Sequence, residues 1–138
     1  MVDTVDLKLI ELLKKNSRLS FADLGRQINL SPSSVRERVQ KMEDEGIIEG
    51  YITKINNKKI GLDLEAFILI KAFPGKLQYA IKTVSKYPEV VQAHRITGNQ
   101  NIHLKIVVEN QVGLQKLLDK LMQFGDTNTF LILSEIEN

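Results

Sequence analysis

The chain has 138 residues, 43% hydrophobic and 26% charged, with a formal charge of +2; this is the balance of a globular protein with one compact domain or two small ones. It holds no cysteine, which excludes disulfides, thiolate nucleophiles and cysteine metal sites and fits a reducing cytoplasm. No apolar run approaches the ~18 residues of a membrane span, and the acidic start Met1-Val2-Asp3-Thr4-Val5-Asp6 lacks a signal peptide's basic opening.

Asp3 or Thr4 caps a first predicted helix running to about Lys15. Val5, Leu9, Leu12 and Leu13, with Ile10 alongside, form its apolar stripe. Lys14 and Lys15 sit at its end, where the helix dipole favours cations. Asn16-Ser17-Arg18 is a loop. Ser20-Phe21-Ala22-Asp23 has capping-box form with Asp in the usual Glu place, so a short helix is expected from there to about Ile28, burying Leu24 and Ile28. Asn29 tolerates the left-handed conformation of a tight turn. Ser31 followed by Pro32 restarts the helix: the hydroxyl caps an orphan N–H, and proline loses nothing at the first helical position.

Two helices joined by about three residues make a helix-turn-helix. Gly25 is small where they cross, and Val35 plugs the core. In the second of the pair, Val35, Val39 and Met42 form the buried stripe. At about 100° per residue, Ser33, Arg36, Glu37 and Gln40 face outward. Arginine suits guanine and glutamine suits adenine in a major groove. The expected DNA-binding residues are Arg18, Ser31, Ser33, Ser34, Arg36, Glu37, Arg38, Gln40 and Lys41. The positive charge gathers here, whereas Glu43-Asp44-Glu45 follows at once. Those acids repel phosphate, so the C-terminal end of this helix should point away from DNA.

Gly46 stops the helix. Ile47 to Ile55 is β-rich with Gly50 in its middle, and reads either as a short hairpin or wing in which Tyr51 or Lys54 could touch phosphate or as simple packing on the three-helix core. Asn56 to Gly61 is polar and turn-rich. We therefore divide the chain into a DNA-binding domain over 1–55, a linker over 56–63 and a second domain over 64–138.

The second domain alternates element types. Strands are predicted over Leu64–Phe73, Glu89–Thr97, Ile102–Glu109 and Thr129–Glu137. Helices are predicted over Lys76–Lys86 and from an Asn110 cap to about Phe124, with Gly125 as its stop. The order β-α-β-β-α-β is the ferredoxin-like plan, so the fold class is α+β: a winged-helix-like helix-turn-helix head and a ferredoxin-like tail. Both helices should cover one face of an antiparallel sheet. The other face would carry Phe67, Leu69, Lys71 and Phe73, then His103, Lys105, Val107 and Glu109, then Leu131, Leu133 and Glu135. An uncovered, partly apolar sheet face marks an interface. The economical cover is a two-fold homodimer, which would present two recognition helices to two half-sites.

Together these residues resemble the Lrp/AsnC, or feast/famine, transcriptional regulators across essentially the whole chain. Asp3-x-x-Asp6 before an apolar helix is similar to the family's opening. Arg18-Leu19-Ser20, with Leu24-x-x-x-Ile28-Asn29-Leu30-Ser31-Pro32-Ser33-x-Val35-x-x-Arg38-Val39, resembles its helix-turn-helix. Glu45-Gly46-Ile47-Ile48-x-Gly50-Tyr51 and Lys59-Ile60-Gly61 resemble the segments that follow. The resemblance implies a cytoplasmic double-stranded-DNA-binding regulator that forms dimers and higher oligomers, commonly octamers. It also implies an amino-acid effector held between dimers near the loop Thr97, Gly98, Asn99, Gln100 and Asn101. Many relatives have acids where this chain has Asn99 and Asn101, and an amide meets an ammonium group more weakly than a carboxylate does.

Two other readings use the same elements. One is an architectural protein that wraps DNA with little sequence preference. The other is a small ferredoxin-like dimeric enzyme. The only histidines are His94 and His103, in no triad or metal-ligand spacing, and no phosphate loop is present. We therefore expect no catalytic residues, no metal and no cofactor.

Overall fold

The computed structural model describes residues 1–137. The chain divides into two compact units, Met1–Lys54 and Ile55–Asn138. The first is three helices: α1 (Thr4–Lys15), α2 (Phe21–Ile28) and α3 (Pro32–Asp44). Each begins at a side-chain cap. Asp3 and Asp6 exchange backbone hydrogen bonds at 2.9 and 3.1 Å, and Ser20 and Asp23 do the same at 3.0 and 3.2 Å. These reciprocal bonds satisfy orphan N–H groups and set where each helix starts. Leu9, Leu24, Val35, Val39 and Met42 form the core, with Ile28 and Leu30 packed at its edge.

The α2–α3 turn is set by backbone crowding. Asn29 adopts φ 58° and ψ 47°, the left-handed region, which asparagine tolerates better than other side chains. The Leu30 N–H then donates to the Gly25 carbonyl at 3.0 Å. A Cβ on Gly25 would lie 2.3 Å from the Leu30 carbonyl oxygen. The turn closes only because there is no side chain at Gly25.

The second unit holds β1 (Leu64–Ala72), α4 (Leu77–Val84), β2 (Val90–Arg95), β3 (Ile102–Val108), α5 (Gln111–Leu121) and β4 (Gly125–Leu131). All pairings are antiparallel, in the order β2-β3-β1-β4. This is the expected ferredoxin-like plan. Ala66, Ile68 and Ile70 of β1 and Ile102, Leu104 and Ile106 of β3 are buried with Ala80, Val84, Leu114, Leu117, Leu121 and Phe124. Because strand side chains alternate, Phe67 and Leu69 fall on the opposite face.

Several expectations are corrected. Residues 47–55 form no strand. The Ile47 and Ile48 N–H groups both donate to the Met42 carbonyl, at 2.8 and 3.1 Å, so the chain folds back on the end of α3 and spends its donors there. Ile48 packs against the helical core, while Ile52 is 93% exposed. Within the polar, turn-rich segment that follows, Asn57–Ile60 makes a 3-10 turn capped by Asn56.

The last strand begins earlier than Thr129 and ends before Leu133. Gly125 does not stop a helix; α5 has already ended at Leu121. Gly125 opens β4 opposite Ala72, where an added Cβ would lie 2.1 Å from the Lys71 carbonyl oxygen. The polar run Asp126–Thr129 is tolerated because β4 is an edge strand. In this register Phe130 lies opposite Phe67, and Leu131 opposite Ala66. The uncovered face is therefore completed by Asn128 and Phe130 rather than by Leu131 and Leu133.

Candidate nucleic-acid interface

Helix α3 carries the candidate surface. Its buried stripe of Val35, Val39 and Met42 is at most 2% exposed, which anchors the helix by one side. Burying each such side chain contributes about 1.5–3 kcal/mol. The other side is forced outward. Ser33, Arg36, Glu37, Gln40 and Lys41 are all exposed, and with Asp44 they line one shallow groove along the helix. Arg36 forms no ion pair among the described residues.

The serines divide the work at the start of α3. The Ser31 hydroxyl accepts from the Ser34 N–H at 3.2 Å and donates to the Ser34 hydroxyl at 2.9 Å. Ser31 and Ser34 are thus engaged in the cap. The Ser33 hydroxyl lies 3.1 Å from that of Ser31 and is exposed. Further along, the Gln40 amide donates to Asp44 at 3.0 Å, which steadies this exposed side chain. The acidic end is also tied down, since the Tyr51 hydroxyl donates to Glu43 at 3.0 Å. Desolvation first, and Glu43 second, push the Tyr51 pKa up. Arg18 is exposed in the loop before α2, and Arg26 on α2 pairs with Asp23.

Arg38 does not share the outward face. Its guanidinium Nη1 donates to both carboxylate oxygens of Asp3, at 2.9 and 2.7 Å, and to Asp6 Oδ1 at 3.1 Å. The signal was present in the sequence. Arg38 is three residues after Val35 and four before Met42, so it flanks the buried stripe and not the Arg36 face.

The bond to Arg38, followed by the Asp6 backbone N–H, holds the Asp3 carboxyl below its ordinary value of 3.8. Asp23 is lowered likewise, chiefly by Ser20. A depressed carboxylate pKa contributes stability that is complete above the unfolded value and lost as pH falls through the folded one. The helical unit should therefore weaken as pH drops below about 3.8. An acid titration followed by circular dichroism checks this, with Asp3→Asn expected to flatten the profile. An Asp3→Asn profile identical to that of wild type would show that Asp3 contributes nothing to the acid sensitivity.

In the second unit the loop after β2 is braced across the end of β1. The Asn101 side chain accepts from the Ala72 N–H at 3.0 Å. Its own N–H donates to the Ile70 carbonyl at 3.0 Å, and its carbonyl accepts from Ile96 at 3.1 Å. Asn101 is thus committed to holding the loop. Thr97, Gly98 and Asn99 are exposed and Gln100 is half-buried, with Gly98 at φ 113°. His94 and His103 stand opposite each other across β2 and β3, and His103 packs on Phe67 at 5.1 Å between ring centroids. No group of three or more His, Asp or Glu side chains among the described residues could hold a metal.

Comparison with known proteins decides the family. Residues 2–49 match the model for winged helix-turn-helix DNA-binding domains, and residues 65–138 match the Lrp/AsnC ligand binding domain. The chain belongs to the Lrp/AsnC family of transcriptional regulators. It is 35% identical to the HTH-type transcriptional regulator LrpC of Bacillus subtilis, covering 99% of this chain and 94% of that one. The solved LrpC structure superposes with a TM-score of 0.93 over 99% of this chain and 98% of that one. A Neisseria meningitidis transcriptional regulator solved as a complex with L-Met gives a TM-score of 0.89 at 25% identity, covering 100% of this chain and 94% of that one. Like its family, this Lrp/AsnC protein is a DNA-binding regulator of transcription.

Proposed function

We propose that this Lrp/AsnC protein reads DNA through the outward face of α3. Arg36, Glu37 and Gln40 meet base edges, while Arg18, Ser31, Ser33, Ser34 and Lys41 lie towards the backbone. It works in the cytoplasm, without enzymatic chemistry, as a homodimer that assembles further up to an octamer. An amino acid or other small effector bound at the loop of Thr97, Gly98, Asn99, Gln100 and Asn101 modulates its affinity.

The observation that carries this reading is the segregation on α3: a stripe buried to 2% or less behind exposed Ser33, Arg36, Glu37, Gln40 and Lys41. Dimerisation is supported by the sheet face that no helix covers, where Phe67 and Leu69 are half-buried and Phe130 is 52% exposed. The effector is supported by the match to a ligand binding domain and by the L-Met complex of the Neisseria relative. In this reading the amides of Asn99 and Gln100 meet the effector, since the Asn101 side chain is already engaged by Ala72.

Selection of bound duplexes from genomic fragments, with and without a panel of amino acids, tests the whole. A few recurrent sites whose occupancy changes with one amino acid are expected. Long protected tracts without a common sequence would favour DNA wrapping instead. Affinity should fall steeply with salt, because neutralised phosphates release counterions. Phe67→Glu should convert the dimer to monomer in sedimentation; an unchanged dimer would move the interface off this sheet face.

A further inference from the structure

We infer that Arg38, Asp3 and Asp6 form a clamp that sets the position of α3, and that Arg38 is a positioning residue rather than a DNA contact. The inference deepens the reading of α3 as the helix that enters the groove, and rests on it.

Three donor–acceptor contacts of 2.7–3.1 Å join one guanidinium nitrogen to two carboxylates. The partners are 35 and 32 residues away in sequence, so the clamp ties the first turn of α1 to the middle of α3. The same two carboxylates already cap α1. The cation thus sits at the positive end of the α1 dipole, a place it would avoid without them. Asp6 is 8% exposed; with Arg38 removed, a nearly buried carboxylate would lose its ion-pair partner, which is costly. Arg38 itself is one-third exposed, so the geometry carries the argument and not the depth of burial.

The charge balance points the same way. Arg38 brings one positive charge and meets two negative ones, so the cluster is net negative. A phosphate approaching Arg38 would meet Asp3, whose side chain is 53% exposed. The clamp adds no attraction for DNA, and the attraction of α3 rests on Arg36 and Lys41. What the clamp supplies is register. α3 is fixed to α2 by the tight turn at its start and to α1 by Arg38 further along, and two fixed points define the helix axis. The base-reading side chains at Arg36 and Gln40 bracket Arg38 by two residues on each side.

The test uses the full chain, a duplex that wild type selects from a random-sequence library, and a scrambled duplex of the same composition. Arg38→Gln should lower the ratio of specific to scrambled affinity roughly tenfold, of the order of one lost bidentate base contact. The slope of affinity against salt should stay at the wild-type value. A phosphate contact behaves otherwise: its loss weakens both duplexes alike and reduces the salt slope by about 1, and that result would overturn the proposal. A fall in melting temperature with an unchanged specificity ratio would also overturn it, leaving Arg38 merely structural.

Asp3→Asn gives a second route if Arg38→Gln folds poorly. Asparagine still caps a helix, so α1 is kept while the charge is lost. It should lower the specificity ratio in the same direction, and Arg38→Gln should cost less on that background. Independent, additive effects would sink the clamp. Arg36→Ala, assayed in parallel, separates the two ideas: if it leaves specificity intact, the reading of α3 itself has failed.

Discussion

Gly25→Ala is expected to destabilise the helical unit by about 1–3 kcal/mol, the usual cost of overpacking. Two effects oppose each other. Alanine inside a helix is favoured over glycine by about 1 kcal/mol, and Gly25 is a helical residue of α2. Against that, the new Cβ would lie 2.3 Å from the Leu30 carbonyl oxygen and 3.3 Å from its carbon. Those are backbone atoms of the turn itself, which cannot rotate aside. Relief requires opening the α2–α3 turn and lengthening the bond from the Leu30 N–H to the Gly25 carbonyl. The steric cost therefore outweighs the propensity gain. A thermal melt followed by circular dichroism checks it, with Gly50→Ala as control, since nothing lies within 4 Å of a Cβ there. Equal melts for the two variants would show that the turn is not tight. DNA affinity should fall with Gly25→Ala as well, because α3 loses its fixed start.

Arg36→Ala should weaken binding to a selected duplex about 5- to 150-fold, the equivalent of roughly 1–3 kcal/mol for a bidentate base contact. The melting temperature should not move. Arg36 is exposed and, among the described residues, forms no ion pair whose loss could unfold the head. Relaxed preference at one base position should accompany the loss, which repeated selection with the variant would reveal. Equal weakening on selected and scrambled duplexes would reassign Arg36 to the phosphate backbone.

The elements were legible in the sequence where local chemistry set them. Asp3, Ser20, Ser31 and Asn110 each cap the helix expected of them. The alternation of Ile102, Leu104, Ile106 and Val108 marked the face of β3 that is buried throughout, although Val107 on the other face is buried as well. The failures lie where a local preference met no partner or an unexpected one. Ile47–Ile55 has strand-forming residues, but its first donors close onto Met42. Asp126–Thr129 is wholly polar, its two threonines alternating with an Asp and an Asn that strands disfavour, yet β1 offers it an edge. Gly125 looked like a helix stop because glycine serves both for left-handed turns and for close backbone approach, and sequence does not distinguish these uses.

For the candidate interface the division is similar. Periodicity alone turned Val35, Val39 and Met42 inward and Ser33, Arg36, Glu37 and Gln40 outward, since both follow from 3.6 residues per turn. Arg38 was different. Its spacing from Val35 and Met42 put it beside the buried stripe, but only the fold brought Asp3 and Asp6 to it. Composition, caps and hydrophobic period thus determined the helices, most of the strands, the domain order and the outward face of α3. Tertiary structure decided which charges are paired, where β4 begins and which residues complete the open sheet face. Those outcomes depend on contacts between residues tens of positions apart, and such contacts leave no periodic trace in the chain.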